Sequence, residues 1–213
     1  MAISARTAVA SERVFMPLLS IPQLRSHNAR DFGCGNLAAF RETVRIAAGS
    51  GIRALCVAPV NETEPDLASL FSRSSNNALS TRIVALQEVP EIEGSPRLKT
   101  MLDGVLSAHK KETTGLKMNI PLVEKENNRF LMEAYELFLE NSGRSGRKRQ
   151  AADFSKEQDW WLKPYSAFNT LKRLLHPAQP ETWDPAYFDL SSDGTKRLLG
   201  SEEAIYLRGF YEF

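Results

Sequence analysis

The chain has 213 residues, 42% of them hydrophobic and 25% charged, with 27 Lys and Arg against 26 Asp and Glu for a net charge of +1. That balance is ordinary for a globular protein large enough to bury a core, and it argues against bulk attraction to nucleic acid or to an acidic membrane surface. No apolar run approaches the roughly 20 residues of a membrane span, and the opening MAISARTAVASERVF has no signal-peptide core, so a cytoplasmic location is the expectation. One domain, or one domain with an insertion, is expected. Cys34 and Cys56 are the only cysteines; two residues make no disulfide framework, and free thiols are expected.

Residues 1–13 are small and polar and read as a flexible arm. The apolar run Val14 to Leu19 then predicts a strand, stopped by Pro22. In Phe32-Gly33-Cys34-Gly35-Asn36 the glycines allow a tight turn and Asn36 can cap the helix that follows. Leu37, Phe40, Val44 and Ala47 fall on one helical face, with Gly49 or Gly51 as a left-handed stop. Ala54 to Pro59 is a short uninterrupted apolar run, the pattern of a parallel strand covered on both faces. Together these make a βαβ unit. Asn61 to Ser80 has no sustained periodicity and reads as a long loop leaving the second strand, and Ile83 to Leu86 reads as a short strand before Pro90.

Helical patterning follows. Ser95 and Pro96 open a helix with the stripe Leu98, Met101, Leu102, Val105 and Leu106. After an interruption at Gly115 to Asn119, Pro121 opens another whose core positions are Val123, Phe130, Leu131, Ala134, Leu137 and Phe138. Asn141 to Arg149 is glycine- and serine-rich and basic, and reads as a solvated loop. Ser155 with Gln158 fits a capping box, and Pro164 is expected to break or restart that helix. Tyr165, Phe168, Leu171 and Leu175 continue an apolar face. Trp160 and Trp161 could stack on a sugar ring, although tryptophans within a helix are more often core. His176 to Asp193 is an irregular connection, and a last helix from Ser201 buries Ile205, Leu207 and Phe210.

The stretch from Phe15 to Leu86, with FGxGN before a helix, a strand running into Pro59 and Asn61-Glu62-Thr63 after it, resembles the start of the 4-α-glucanotransferases, the amylomaltases or disproportionating enzymes. Trp161-Leu162-Lys163-Pro164-Tyr165-Ser166-Ala167-Phe168 is similar to a second signature of that family, closest to its plant-type branch. The resemblance implies an α/β fold: an incomplete (β/α) barrel-like N-terminal portion over residues 14–92, with a mostly helical segment over 93–213. It implies that Asn61, Ser69, Phe71 and Ser72 face substrate, an α-1,4-glucan or maltooligosaccharide. Phe71 stands where the family usually has tyrosine, so the stacking face is kept and a hydroxyl donor lost. Ser80-Thr81 and Leu55-Cys56 also depart from the family's pattern.

Retaining glucan transfer uses two carboxyl groups about 5 Å apart, one a nucleophile and the other an acid/base. The resemblance puts those groups on later barrel strands, so no catalytic residue is expected in this chain. Glu62, Glu64 and Asp66 read as solvated loop carboxylates. His27, His109 and His176 are scattered without metal spacing, and no phosphate loop, nucleophile elbow or dinucleotide fingerprint is present, so neither a metal nor a cofactor is expected. Two functions follow: a glucanotransferase-like protein inactive alone, completed by a complementary catalytic chain or by self-association, or a non-catalytic module that binds glucan or a protein. A degenerate remnant without a stable fold is the third.

Overall fold

The computed structural model describes residues 15–24, 31–63, 73–109, 118–140, 146–176 and 179–213. The chain divides into two compact units, Met1–Glu133 and Ala134–Phe213.

The first unit begins with the expected βαβ element. Strands β1 (Leu18–Leu19) and β2 (Cys56–Val57) are parallel, with Leu18 opposite Cys56 and Leu19 opposite Val57. The Cys56 N–H donates to the Pro17 carbonyl (2.9 Å) and the Ala58 N–H to that of Leu19 (2.7 Å). Helix α1 (Leu37–Gly49) joins them and starts where the sequence says: the Asn36 side-chain oxygen accepts from the N–H groups of Ala38 and Ala39, both at 3.1 Å. Gly51 ends it with φ +79°. Gly35 is fixed by close approach, since a Cβ there would strike the carbonyl oxygens of Ile21 and Leu24 while its N–H bonds Pro22 at 2.9 Å.

Two expectations fail in this element. Of the expected face of α1 Ala47 is buried, but Leu37 and Val44 are exposed, and Ala39 joins Ala47 in the core. The residues of β2 are half-buried rather than covered on both faces. Nor is Ile83 to Leu86 a strand: 3₁₀ turns span Thr81–Ile83 and Leu86–Glu88. Ala85 and Leu86 are adjacent and both buried, which the alternation of a one-sided strand does not permit.

Helix α2 (Pro90–Glu93) is one turn long. Helix α3 (Pro96–Ala108) is capped by Ser95, whose hydroxyl accepts from the Leu98 N–H at 3.3 Å, and buries Leu98 and Leu102. Helix α4 (Ile120–Glu140) starts under Asn119, whose side chain accepts from Leu122 at 3.2 Å; Val123, Asn127 and Phe130 are buried.

The second unit takes the last turns of α4 and adds α5 (Arg147–Glu157), α6 (Asp159–Leu174), α7 (Asp193–Leu199) and α8 (Glu202–Glu212). Its core is α6 on α8, with Leu162, Ala167, Thr170 and Leu171 against Ala204 and Leu207. The Ser166 hydroxyl donates to Glu212 at 2.9 Å. Beside it, Tyr135 packs its ring against Tyr206, Phe210 and Phe213 at 5.3, 5.9 and 5.5 Å between centroids. Trp183 is buried between Phe168 and Phe188.

Here too the sequence reading needs correction. Arg147 to Arg149 open α5 instead of ending a loop, and Ser155 lies inside that helix, so it caps nothing. The break falls at Gln158. Pro164 stands inside α6 and is exposed, so the helix continues through it at the cost of one ladder hydrogen bond. Trp160 is 72% exposed and Ile205 60% exposed, so neither is core, whereas Leu207 is.

Candidate functional site

Because β1 and β2 are parallel, their C-terminal ends lie on the same side, and the chain builds a hydrogen-bonded polar structure there. After β1 comes a buried 3₁₀ turn, Ile21–Gln23. After β2 the chain runs out through residues 60–63 and returns through 73–80 as an irregular hairpin. Glu62 N–H donates to the Ala78 carbonyl, Ser80 N–H to Val60 (both 2.9 Å) and Ser74 N–H to Glu62 (3.0 Å), with antiparallel bridges Asn61 to Leu79 and Thr63 to Arg73. The expected long loop is thus braced along its base. It delivers the chain into the turn Thr81–Ile83, which packs on Ile21–Gln23.

Of the candidate substrate-facing residues, Asn61 is half-buried and its side-chain amide donates to the Asn76 carbonyl at 2.7 Å. One of its roles is therefore to close the hairpin, which leaves its side-chain oxygen as an acceptor. Ser69, Phe71 and Ser72 lie outside the described residues, as do Glu64 and Asp66. Glu62 accepts from the Ser74 hydroxyl at 3.2 Å, so this loop carboxylate is tied into the hairpin base.

Sequence reasoning missed the polar centre beneath the hairpin. The Arg82 side chain is 4% exposed; its Nε and Nη2 reach one Glu124 oxygen at 2.7 and 2.5 Å. Asn127, one turn further along α4, donates to the Thr81 carbonyl at 2.6 Å and so pins the same turn. One signal was legible: Asn127 interrupts the apolar stripe Val123, Phe130 and Ala134, and a polar residue at a core position calls for a partner. Asp31, Phe32, Cys34, Asn36, Arg82 and Asn127 line a cleft here of about 210 Å³ including open solvent. The space inside it, apart from open solvent, is only about 10 Å³, room for roughly one water, so the cleft by itself does not hold a sugar.

Two carboxylates described at this end are engaged in structure: Asp31 accepts from the Gly33 N–H at 2.8 Å, and Glu124 neutralises Arg82. Elsewhere, hydrogen bonds from Ser191 hold Asp189 below the usual carboxylate range, which makes it a poor proton donor. Cys34 and Cys56 are not joined in a disulfide. Among the described residues no group of three or more His, Cys, Asp or Glu side chains could hold a metal ion, and no helix is long and apolar enough to cross a membrane.

Comparison with known proteins gives one answer. The chain is 22% identical over 187 residues to a 4-alpha-glucanotransferase of Chlamydia pneumoniae, covering 87% of this chain and 33% of that protein. It is 21% identical over 180 residues to a 4-alpha-glucanotransferase of Chlamydia caviae, covering 82% of this chain and 32% of that one. The chain therefore spans about a third of the length of the curated relatives it matches. Residues 19–206, which run from the end of β1 through the hairpin into the first turn of α8, match the sequence profile of the 4-alpha-glucanotransferases, and the chain belongs to that family.

Proposed function

We propose that this chain is a glucan-handling portion of the 4-α-glucanotransferase scaffold, working in the metabolism of starch, glycogen or maltooligosaccharides without itself carrying the transfer chemistry. The observation that supports this reading is the braced hairpin at the C-terminal end of two parallel strands, inside the stretch that matches the family. That is the end at which barrel loops carry binding and catalytic groups.

The reading extends to the fold. The register of β1 and β2 turns the backbone groups of Leu18 and Val57 to the two outer edges of the pair, where further parallel strands would bond. Phe15, Met16 and Leu18 are exposed along the β1 edge, which suits the start of a larger barrel-type sheet. The paired carboxylates of retaining transfer would then come from those further strands.

A non-catalytic glucan-binding module is the second reading. It is favoured by the way the hairpin is held: Arg82, Glu124 and Asn127 fix its base with residues of the same unit. A calorimetric titration of the purified chain with maltoheptaose tests the common ground. Binding that Asn61→Ala weakens about tenfold supports both readings. A folded chain that takes up no maltoheptaose overturns both.

A further inference from the structure

We propose that Asn127 of α4 is a positioning residue for the glucan contact of the hairpin: it holds the Thr81 carbonyl, and through it sets where Asn61 stands. Asn127 is 3% exposed and lies in the buried stripe of α4 between Val123 and Phe130, where an aliphatic side chain would add to the apolar core. Its side-chain amide instead donates to the Thr81 carbonyl at 2.6 Å. A buried polar group with its partner in place fixes one arrangement of the elements it joins, which a non-directional apolar contact does not.

The bond acts where the hairpin meets the turn. Arg82 and Ile83 are buried, and Arg82 is tied to Glu124, whereas Thr81, next to the hairpin, is only half-buried. From Thr81 to Asn61 the route is short. Ser80 precedes Thr81, and its N–H donates to the Val60 carbonyl at 2.9 Å; Leu79 precedes Ser80 and bridges Asn61. A displacement of the Thr81 carbonyl is therefore carried back through two residues and across the ladder to Asn61. Glu124 stands one turn before Asn127 on the same side of α4, so the helix grips two consecutive residues, Thr81 and Arg82, as the chain leaves the hairpin. The part played by Asn61 rests on the function proposed above.

The test compares the full chain with Asn127→Asp, which keeps the shape of the side chain and loses the donor when ionised. Three quantities are followed: the Asn61 side-chain amide resonances by NMR, the maltoheptaose dissociation constant by calorimetry, and the melting temperature. At about pH 8 the variant is expected to shift the Asn61 resonances and to bind maltoheptaose about fivefold more weakly than wild type. At about pH 5, where a buried carboxyl facing a carbonyl oxygen is protonated and donates again, both should return to the wild-type values at that pH. Asn127→Ala, which introduces no buried charge, should show the losses at both pH values. Ser95→Ala, which removes a cap from α3 in the same unit, should lower the melting temperature and leave the affinity unchanged. If Asn127→Asp and Asn127→Ala lower only the melting temperature while Asn61→Ala still weakens binding, the bond is merely structural; that result overturns this inference and spares the proposed function. An affinity loss in Asn127→Asp that is the same at both pH values also overturns it, because the donor is then not the cause. A folded chain that takes up no maltoheptaose overturns both.

Discussion

Gly209 offers a sharp test of the packing that builds the second unit. A methyl group at this position would collide with the phenol oxygen of Tyr135 and lie 3.2 Å from its Cζ and 3.9 Å from its Cε2. Two effects oppose each other. Alanine in place of glycine inside a helix gains about 1 kcal/mol from the smaller loss of backbone entropy, while overpacking a filled site costs about 1–3 kcal/mol. The Tyr135 ring is walled by Tyr206, Phe210, Phe213 and Phe138 and cannot swing aside, which puts the cost near the top of that range. Gly209→Ala should therefore destabilise by about 2 kcal/mol net. In a Tyr135→Phe background the oxygen is gone and only the Cζ contact remains, so the same substitution should be neutral or slightly stabilising. Urea unfolding of the four proteins of this cycle, followed by near-ultraviolet circular dichroism, should give a coupling of about 2 kcal/mol. Additive effects, or a stabilised Gly209→Ala single variant, would refute the packing argument.

Three further outcomes follow. Arg82→Met leaves the Glu124 carboxylate without its cation in a largely buried site and should cost about 3 kcal/mol, whereas Arg82→Met with Glu124→Leu should recover most of it; equal losses in the two variants would contradict the pairing. Burial, with Glu212 and then Glu136 nearby, raises the Tyr135 phenol above its usual range, so the folded state keeps that proton after the unfolded chain has lost it. The associated stability is complete below about pH 10 and falls as pH rises from there towards the folded-state value, and Tyr135→Phe should flatten that alkaline decline in melting temperature. Asn36→Ala removes two side-chain hydrogen bonds at the start of α1 and should cost about 1 kcal/mol, read as faster amide exchange across that helix; unchanged exchange would deny the cap its role.

What the sequence disclosed was local. Asn36, Ser95 and Ser201 announce helix starts because a cap depends only on residues two or three positions away, and all three are where they were expected. The parallel pairing of β1 and β2 was legible from the strand–glycine turn–helix–strand order. Burial was less so. Of the expected face of α1, Ala47 is buried, but Leu37 and Val44 are exposed and Ala39 is buried instead, because periodicity alone does not fix how the apolar side of a helix is turned to its neighbours. Pro164 was expected to break or restart a helix, but α6 runs through it on an exposed turn, where losing one ladder hydrogen bond is tolerated. Arg82 and Glu124 lie 42 residues apart, and nothing in the local pattern joins them.

The chain belongs to the 4-alpha-glucanotransferase family, and the proposal to be tested is that it holds an α-glucan without transferring it. Incubation of the purified chain alone with maltotriose, with products separated by chromatography, tests this directly. The account predicts maltotriose unchanged over a period in which a complete 4-α-glucanotransferase redistributes it. Glucose appearing together with longer maltooligosaccharides would contradict it.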